Sequence, residues 1–179
     1  AIGCGGTIGL HVARNHRVST VFLTSGELGL EDLSREEAWR TRESEAHEAA
    51  GVLGIADLTF LHREDWAISE HLQETAMALC PVLQRESPAL IYLPHPKEWH
   101  PDHAASLAVV QQAMKHIDFP IPALRGYEIW TPLEQYDHVE NITETMARKL
   151  RAIRCYKSQL TEYRYDRAIR GLNQYRGII

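Results

Sequence analysis

The sequence predicts an α/β fold with a mostly parallel β-sheet. Strand-like and helix-like segments alternate along the chain, as they do in βαβ units. The third strand-like segment, ALIYLP at 89–94, is apolar throughout, which is typical of a strand covered on both faces. The 179 residues contain no repeat, low-complexity run or linker, so a single domain is expected.

The individual elements follow from local patterns. Residues 7–16 are predicted as a helix, and the β-branched apolar run at 18–26 as a strand. Ser34 and Glu37 have the spacing of a capping box, which predicts a helix over 34–53. The other predicted elements are a strand at 58–62, a helix at 68–86, the strand at 89–94, a helix at 101–116, strands at 125–132 and 138–143, and helices at 144–156 and 165–175.

Composition narrows the functional classes. No apolar run is long enough to cross a membrane, and no signal-peptide pattern is present. Three widely spaced cysteines exclude a disulfide framework and a C-x-x-C metal knuckle, and they predict a cytoplasmic location. The net charge of -5, without a recognition motif, argues against nucleic-acid binding. The basic segment 144–179 is interpreted as a solvated helical layer or as a contact for an anionic partner.

Three polar loops follow the predicted strands, where parallel sheets bind their ligands: TSGE at 24–27, HRED at 62–65 and PHPKEWHPDH at 94–103. In the third loop, Pro101 indicates the first turn of a helix. His100 and His103 then share one helix face. Both could ligate a metal, or His103 could ligate it while His100 acts on a substrate; solvated histidines are the alternative. Asp102 could hold a ring nitrogen of one imidazole.

Further residues of the same loops are weaker candidates. His95 precedes a proline in an extended segment and either lines the cleft or has a structural role. Lys97 and Glu98 are expected on the surface. Asp65, just past the end of the second strand, could meet His100 or a substrate hydroxyl. Glu27, at the end of the first strand, is a weaker candidate of the same kind.

Arg42 lies in an otherwise apolar stripe of the helix at 34–53 and therefore requires a partner. It either forms a buried structural ion pair with Glu45, or reaches the site with Glu45 bracing it. The glycine-rich opening AIGCGGTIG leads into a helix, but the third glycine of G-x-G-x-x-G is replaced by Ile8. Its glycines are expected to let the backbone pass close to the site.

Segments along essentially the whole chain carry a family resemblance: AIGCGGTI (1–8), LTSGELG (23–29), RESEAHEAAGVLGI (42–55), Asp65, HPDH (100–103), YEIWTP (127–132) and YKSQL (156–160). Together they resemble the LmbE-like, or PIG-L-type, zinc-dependent N-deacetylases. The resemblance implies a Rossmann-like three-layer α/β/α sandwich. It also implies the removal of an acetyl group from an N-acetylated amino sugar.

The resemblance assigns roles as well. It implies one zinc ion per chain with His103 as a ligand, and His100 as the group that stabilises the oxyanion and helps to protonate the leaving amine. Arg42 and Asp65 match positions that contact the sugar. The family's early HPDDE-type segment, with two further ligands and the general base, would lie upstream of Ala1, so a domain trimmed at both ends is expected.

The partner implied by the resemblance is a small amino-sugar conjugate, and the oligomeric state stays open. Two other functions are weighed against this one. A non-catalytic binding protein could retain the same fold. A nucleotide-binding Rossmann module would need the glycine fingerprint that the opening segment lacks.

Overall fold

The computed structural model describes residues 1–179 as a mixed α/β protein. Its α-helices are α1 (Gly5–Ala13), α2 (Arg35–Leu53), α3 (Leu72–Glu86), α4 (Pro101–Ala113), α5 (Met146–Cys155), α6 (Lys157–Leu160) and α7 (Tyr165–Arg176). Its strands are β1 (Ser19–Thr24), β2 (Asp57–Arg63), β3 (Leu90–Pro94) and β4 (Ala123–Tyr127). None of the helices combines the length and the apolar composition that a membrane span requires.

The strands pair two by two. β1 lies beside β2, and β3 lies parallel to β4, with Leu90 opposite Ala123 and Pro94 opposite Tyr127. The predicted parallel sheet thus takes the form of two strand pairs. The carboxyl end of β3 leads directly into the histidine-rich loop.

The chain divides into two compact units: the first holds residues 1–20, 26–58 and 135–179, and the second holds 21–25 and 59–134. In the first unit α5 packs against α1, α2 and α7 around buried side chains that include Leu53, Ala152 and Ile153. In the second unit α3 and α4 pack together, and α4 also contacts β3, around a core that includes Ile68 and Val109. A single domain remains a prediction.

The capping box at the start of α2 is confirmed. The Ser34 side chain accepts a hydrogen bond from the Glu37 N–H at 3.4 Å, and the Glu37 carboxylate accepts one from the Ser34 N–H at 3.1 Å. This pair of bonds uses two of the N–H groups that a helix start leaves without a helical partner.

Glycines at the start of the chain serve helix packing. A Cβ at Gly6 would lie 2.6 Å from the Ile142 Cδ1 atom, so a side chain there would force α1 away from the segment that leads into α5. Close packing within the first unit therefore accounts for Gly6 in the glycine-rich opening. The spacing of these glycines does not match a phosphate-binding loop.

Two strand predictions are wrong, each for a local reason. Residues 138–143 form no strand, because the Asn141 side chain accepts a hydrogen bond from the Thr143 N–H at 3.1 Å and turns the chain into a short 3₁₀ helix. The strand predicted at 125–132 is displaced, since β4 covers Ala123–Tyr127. Beyond Tyr127 the backbone N–H groups bind a side chain instead of a neighbouring strand, as described below.

An aspartate in the first turn of α7 anchors that helix. Asp166 is buried and accepts hydrogen bonds from the Arg164 Nε at 3.1 Å and the Arg154 Nε at 3.0 Å. The pKa of Asp166 is lowered to about 2, mainly by the hydrogen bonds from Arg164. Together with the bond from Arg154, these bonds outweigh the effect of burial, which raises the pKa. The folded state therefore favours the charged carboxylate.

We expect Asp166→Asn to lower the free energy of unfolding most at neutral pH. Because the folded pKa lies below the unfolded value of about 3.9, the charged group stabilises the fold above about pH 4, and this contribution disappears as the pH falls towards 2. Urea unfolding of both proteins from about pH 7 to about pH 2.5 tests this, with Asp32→Asn, an exposed carboxylate, as the control. If the difference in the free energy of unfolding between Asp166→Asn and the wild type does not shrink as the pH falls, the charged carboxylate of Asp166 does not stabilise the fold.

Candidate active site

His100 stands at the junction between the loop after β3 and helix α4. It is the N-cap of α4, and its Nδ1 accepts a hydrogen bond from the Asp102 N–H at 3.3 Å. A neutral imidazole that accepts at Nδ1 carries its proton on Nε2. His100 is therefore held as the tautomer that offers an N–H donor from Nε2.

His103 lies in the first turn of α4 beside His100, with ring centroids 4.7 Å apart and ring planes at 28°. Its Nδ1 makes no hydrogen bond within the protein and faces the Glu98 Oε2 at 3.7 Å. A carboxylate on this side favours a proton on Nδ1, which leaves the Nε2 lone pair available. Burial, and next the neighbouring His100, lower the pKa of His103, so its ring is kept neutral.

Glu98 is the organising residue of the loop, and the expectation that it lies on the surface is wrong. Its side chain is 0% exposed. The Oε1 atom accepts hydrogen bonds from the N–H groups of Ile129 at 2.7 Å, Trp130 at 3.2 Å and Thr131 at 3.3 Å. Three backbone donors compensate for burial of the carboxylate, and they hold the segment after β4 against the histidine loop.

His95 is buried, and both of its ring nitrogens are engaged by the protein. Nδ1 accepts a hydrogen bond from the Lys97 N–H at 3.1 Å, so Nε2 carries the proton and donates it to the Thr131 carbonyl at 2.8 Å. This geometry favours the structural alternative for His95. The ring fixes the loop to the segment after β4 and offers no free nitrogen to a substrate.

Asp102 binds backbone groups rather than an imidazole. Its carboxylate accepts hydrogen bonds from the Trp66 N–H at 2.7 Å and the Ile68 N–H at 3.1 Å, and the residue is buried. The carboxylate was expected to bind a ring nitrogen of His100 or His103, but it binds these two backbone N–H groups instead. Asp102 contacts His100 through its own backbone N–H, which favours the Nε2–H tautomer of that ring.

Asp65 lies in the loop after β2 and is buried, with its Oδ1 accepting a hydrogen bond from the Thr24 hydroxyl at 3.2 Å. The next residue, Trp66, carries its ring to within 4.6 Å of the His100 ring, measured between centroids. Asp65 thus directly precedes a residue whose side chain contacts His100, and its role towards a substrate stays a prediction.

Glu27 and Arg42 belong to the first unit and lie close to the same turn. Glu27 is buried and forms an ion pair with Arg35 at 3.2 Å. Gly26 has a φ of 68°, and a Cβ added there would lie 3.1 Å from an Arg42 Nη atom. The guanidinium therefore packs against the backbone of the turn, where only glycine gives it room.

Glu45, the expected brace of Arg42, is committed to another segment. Its carboxylate accepts hydrogen bonds from both the N–H and the hydroxyl of Ser158, each at 2.7 Å. It thereby caps the start of α6. Arg42 itself lies over the Tyr156 ring at 5.8 Å, and burial, only partly offset by this guanidinium, raises the pKa of Tyr156 to about 12.

The donor groups of the chain fit a zinc site only in part. Within residues 1–179 no group of three or more His, Cys, Asp or Glu side chains converges as a metal site. His103 nevertheless has the properties of a ligand: a neutral ring, a lone pair on Nε2, and a carboxylate behind Nδ1, which is the arrangement that orients histidine ligands in proteins. His103 is therefore the residue of this chain whose surroundings best fit a metal ligand.

Sequence reasoning missed two features of this site. Glu98 lies in a polar loop, and the N–H groups that bind it come from residues more than thirty positions later, so no local pattern marks it. Trp66 and Trp99 were not singled out either, and both contact the His100 ring. The available signal was a tryptophan next to His100 in the histidine loop and another directly after Asp65 in the loop that follows β2.

We expect Glu98→Gln to lower the free energy of unfolding by about 3 kcal/mol. The glutamine side chain replaces one accepting oxygen with an NH₂ group, which cannot accept hydrogen bonds from the backbone N–H groups around it. Urea unfolding measures the effect. Glu134→Gln, an exposed carboxylate of the same unit, is the control and should leave the free energy of unfolding within about 0.5 kcal/mol of the wild type. Equal stability of the Glu98 and Glu134 variants would show that the buried carboxylate does not hold the loop.

Comparison with known proteins identifies the family. The family model described as PIG-L, GlcNAc-PI de-N-acetylase, matches residues 1–114. The chain is 29% identical over 180 residues to diacetylchitobiose deacetylase of Thermococcus kodakarensis, covering 90% of this chain and 66% of that protein. It is 28% identical over 171 residues to a probable N-acetyl-α-D-glucosaminyl L-malate deacetylase 2 of Bacillus anthracis, covering 86% and 74%.

A solved structure shows the same fold. The N,N'-diacetylchitobiose deacetylase of Pyrococcus horikoshii superposes with a TM-score of 0.84 at 24% identity, covering 97% of this chain and 72% of that one. The predicted Rossmann-like α/β fold is thereby confirmed. The chain spans 66% of the length of the relative from Thermococcus kodakarensis. With a family match over residues 1–114, this chain belongs to the PIG-L, or LmbE-like, family of de-N-acetylases.

Proposed function

We propose that this protein removes the acetyl group from an N-acetylated amino sugar by zinc-dependent hydrolysis of the amide. The observation that carries the proposal is the pair of imidazoles on the first turn of α4, where a backbone N–H faces Nδ1 of His100 and a carboxylate faces Nδ1 of His103, so that the two surroundings favour different tautomers. The two relatives named above support the substrate class, since the names of both describe the deacetylation of a glucosamine derivative.

His103 would hold the zinc ion through Nε2. Zinc, when bound, supplies Lewis-acid polarisation of the amide carbonyl and lowers the pKa of a water molecule. Glu98 keeps the His103 ring in place from the Nδ1 side. The lowered pKa of His103 helps as well, because only the neutral ring has a lone pair to donate.

His100 would act on the reacting amide itself. Its Nε2–H can donate a hydrogen bond to the carbonyl oxygen as negative charge develops there. Protonation of the leaving amine, which the family resemblance also implies for His100, would require the imidazolium form, in which Nδ1 no longer accepts the Asp102 N–H. The N-terminus of α4 supports the developing negative charge, since His100 caps this helix of 13 residues and the positive end of its dipole lies at the site. Nothing in this role requires the His100 ring to bind metal.

Substrate contacts remain proposals based on the family resemblance. Asp65 is proposed to accept a hydrogen bond from a sugar hydroxyl, and Arg42 to contact the sugar as well, with Glu27 as a weaker candidate. His95 is the least favoured of these residues because both ring nitrogens are already engaged. A binding protein without catalysis is the competing function, and the release of acetate distinguishes the two.

The experiment measures acetate release from N-acetylglucosamine conjugates together with zinc content, in the intact protein. His103→Ala should lose zinc and activity together. His100→Ala should retain zinc and a similar KM while kcat falls by roughly 10²–10⁴-fold, because only transition-state stabilisation is removed. His116→Ala, an exposed histidine of the same unit, is the control and should change neither value.

Two results would overturn the proposal. Stoichiometric zinc in His103→Ala would mean that this residue is not a ligand. Loss of zinc in His100→Ala as complete as in His103→Ala would mean that both rings are ligands and that the division of roles is wrong. Binding of the conjugates by the intact zinc-loaded protein without any acetate release would favour the non-catalytic function.

A further inference from the structure

Two exposed tryptophans lie beside His100. Trp66 is 49% exposed and Trp99 is 61% exposed, and their ring centroids lie 6.1 Å apart with the planes tilted by 55°. The His100 ring lies 4.6 Å from the Trp66 ring and 5.7 Å from the Trp99 ring. Single exposed apolar residues are common, but two adjacent indoles beside a candidate catalytic residue form a patch that calls for a ligand.

The Trp66 backbone is held in an unfavourable conformation. Its φ of 67° lies in the left-handed region, which costs a bulky residue free energy. The Asp102 carboxylate maintains this conformation by accepting the Trp66 N–H at 2.7 Å. Strain that keeps an indole in solvent, rather than in a core, is typical of a ligand contact rather than of a packing position.

The backbone of Trp99 is also held by a hydrogen bond. Its N–H donates a hydrogen bond to the Thr131 hydroxyl at 3.0 Å, and the residue follows the buried Glu98 directly. The backbone of the loop is thus fixed while the indole remains outside. Two indoles with fixed backbones lose little conformational freedom when a ligand covers them, which favours binding.

We propose that Trp66 and Trp99 form a saccharide subsite in which Trp99 stacks against a pyranose ring next to the acetylated one. The C–H groups on one face of a pyranose are apolar and weakly positive, and they complement the negative face of an indole. Trp66, the closer of the two to His100, contacts the ring that carries the acetamido group. The subsite favours a substrate with at least two sugar rings over a monosaccharide.

This inference rests on the proposed function for the position of the acetylated ring, but its test does not require turnover. Calorimetry on the metal-free intact protein compares N-acetylglucosamine with N,N'-diacetylchitobiose. The wild type should bind the disaccharide roughly tenfold more tightly, and Trp99→Ala should remove most of this difference while leaving the monosaccharide affinity unchanged. Trp66→Ala should weaken both ligands, and Trp99→Phe should restore part of the preference.

Tyr175→Ala, which removes a 58% exposed aromatic ring from α7, is the matched control and should change neither affinity. Equal affinity of the wild type for the two ligands, or an unchanged preference in Trp99→Ala, would overturn the subsite. A change in the oligomeric state of Trp99→Ala with unchanged saccharide binding would also overturn the subsite. The two tryptophans would then form a contact with a second copy of the chain. If Trp99→Ala behaves as expected but the zinc-loaded protein releases no acetate, only the proposed function fails.

Discussion

The buried carboxylate of Glu98 is the interaction on which the candidate site depends. It binds the N–H groups of three successive residues, 129–131, and faces the rings of His95 and His103 at 3.4 and 3.7 Å. A buried carboxylate is costly unless such donors surround it, so its position fixes the segment after β4 as firmly as that segment fixes it. The end of β4 at Tyr127 follows from the same contact, because the next N–H groups are withdrawn from the strand ladder.

One consequence is that two histidines three residues apart differ in chemistry. The N-cap position gives His100 an N–H donor at its Nδ1 and so a proton on Nε2, whereas the Glu98 carboxylate behind His103 favours the proton on Nδ1. One ring can therefore donate a hydrogen bond where the other offers a lone pair. A hydrolase needs both functions within one small volume, and a single helical turn provides them without a change in backbone conformation.

The fold and part of the site could be predicted from local patterns. The capping box at Ser34, the helix start at Pro101 and the apolar strand before the histidine loop each depend on neighbouring residues, and the structure contains all three. Glu98 could not be recognised, because its partners are distant in sequence and a glutamate in a polar loop has the pattern of a surface residue. The strand expected at 138–143 failed for the opposite reason, since one asparagine side chain outweighed the apolar pattern.

The assignment of different tautomers to the two rings is the central claim, and long-range ¹H–¹⁵N correlation NMR of the histidine side chains measures it directly. Spectra of the metal-free intact protein near neutral pH, with the two rings assigned from His100→Gln and His103→Gln variants, report which nitrogen carries the proton. We expect the Nε2–H form for His100 and the Nδ1–H form for His103. The same tautomer in both rings, or the reverse assignment, would contradict it.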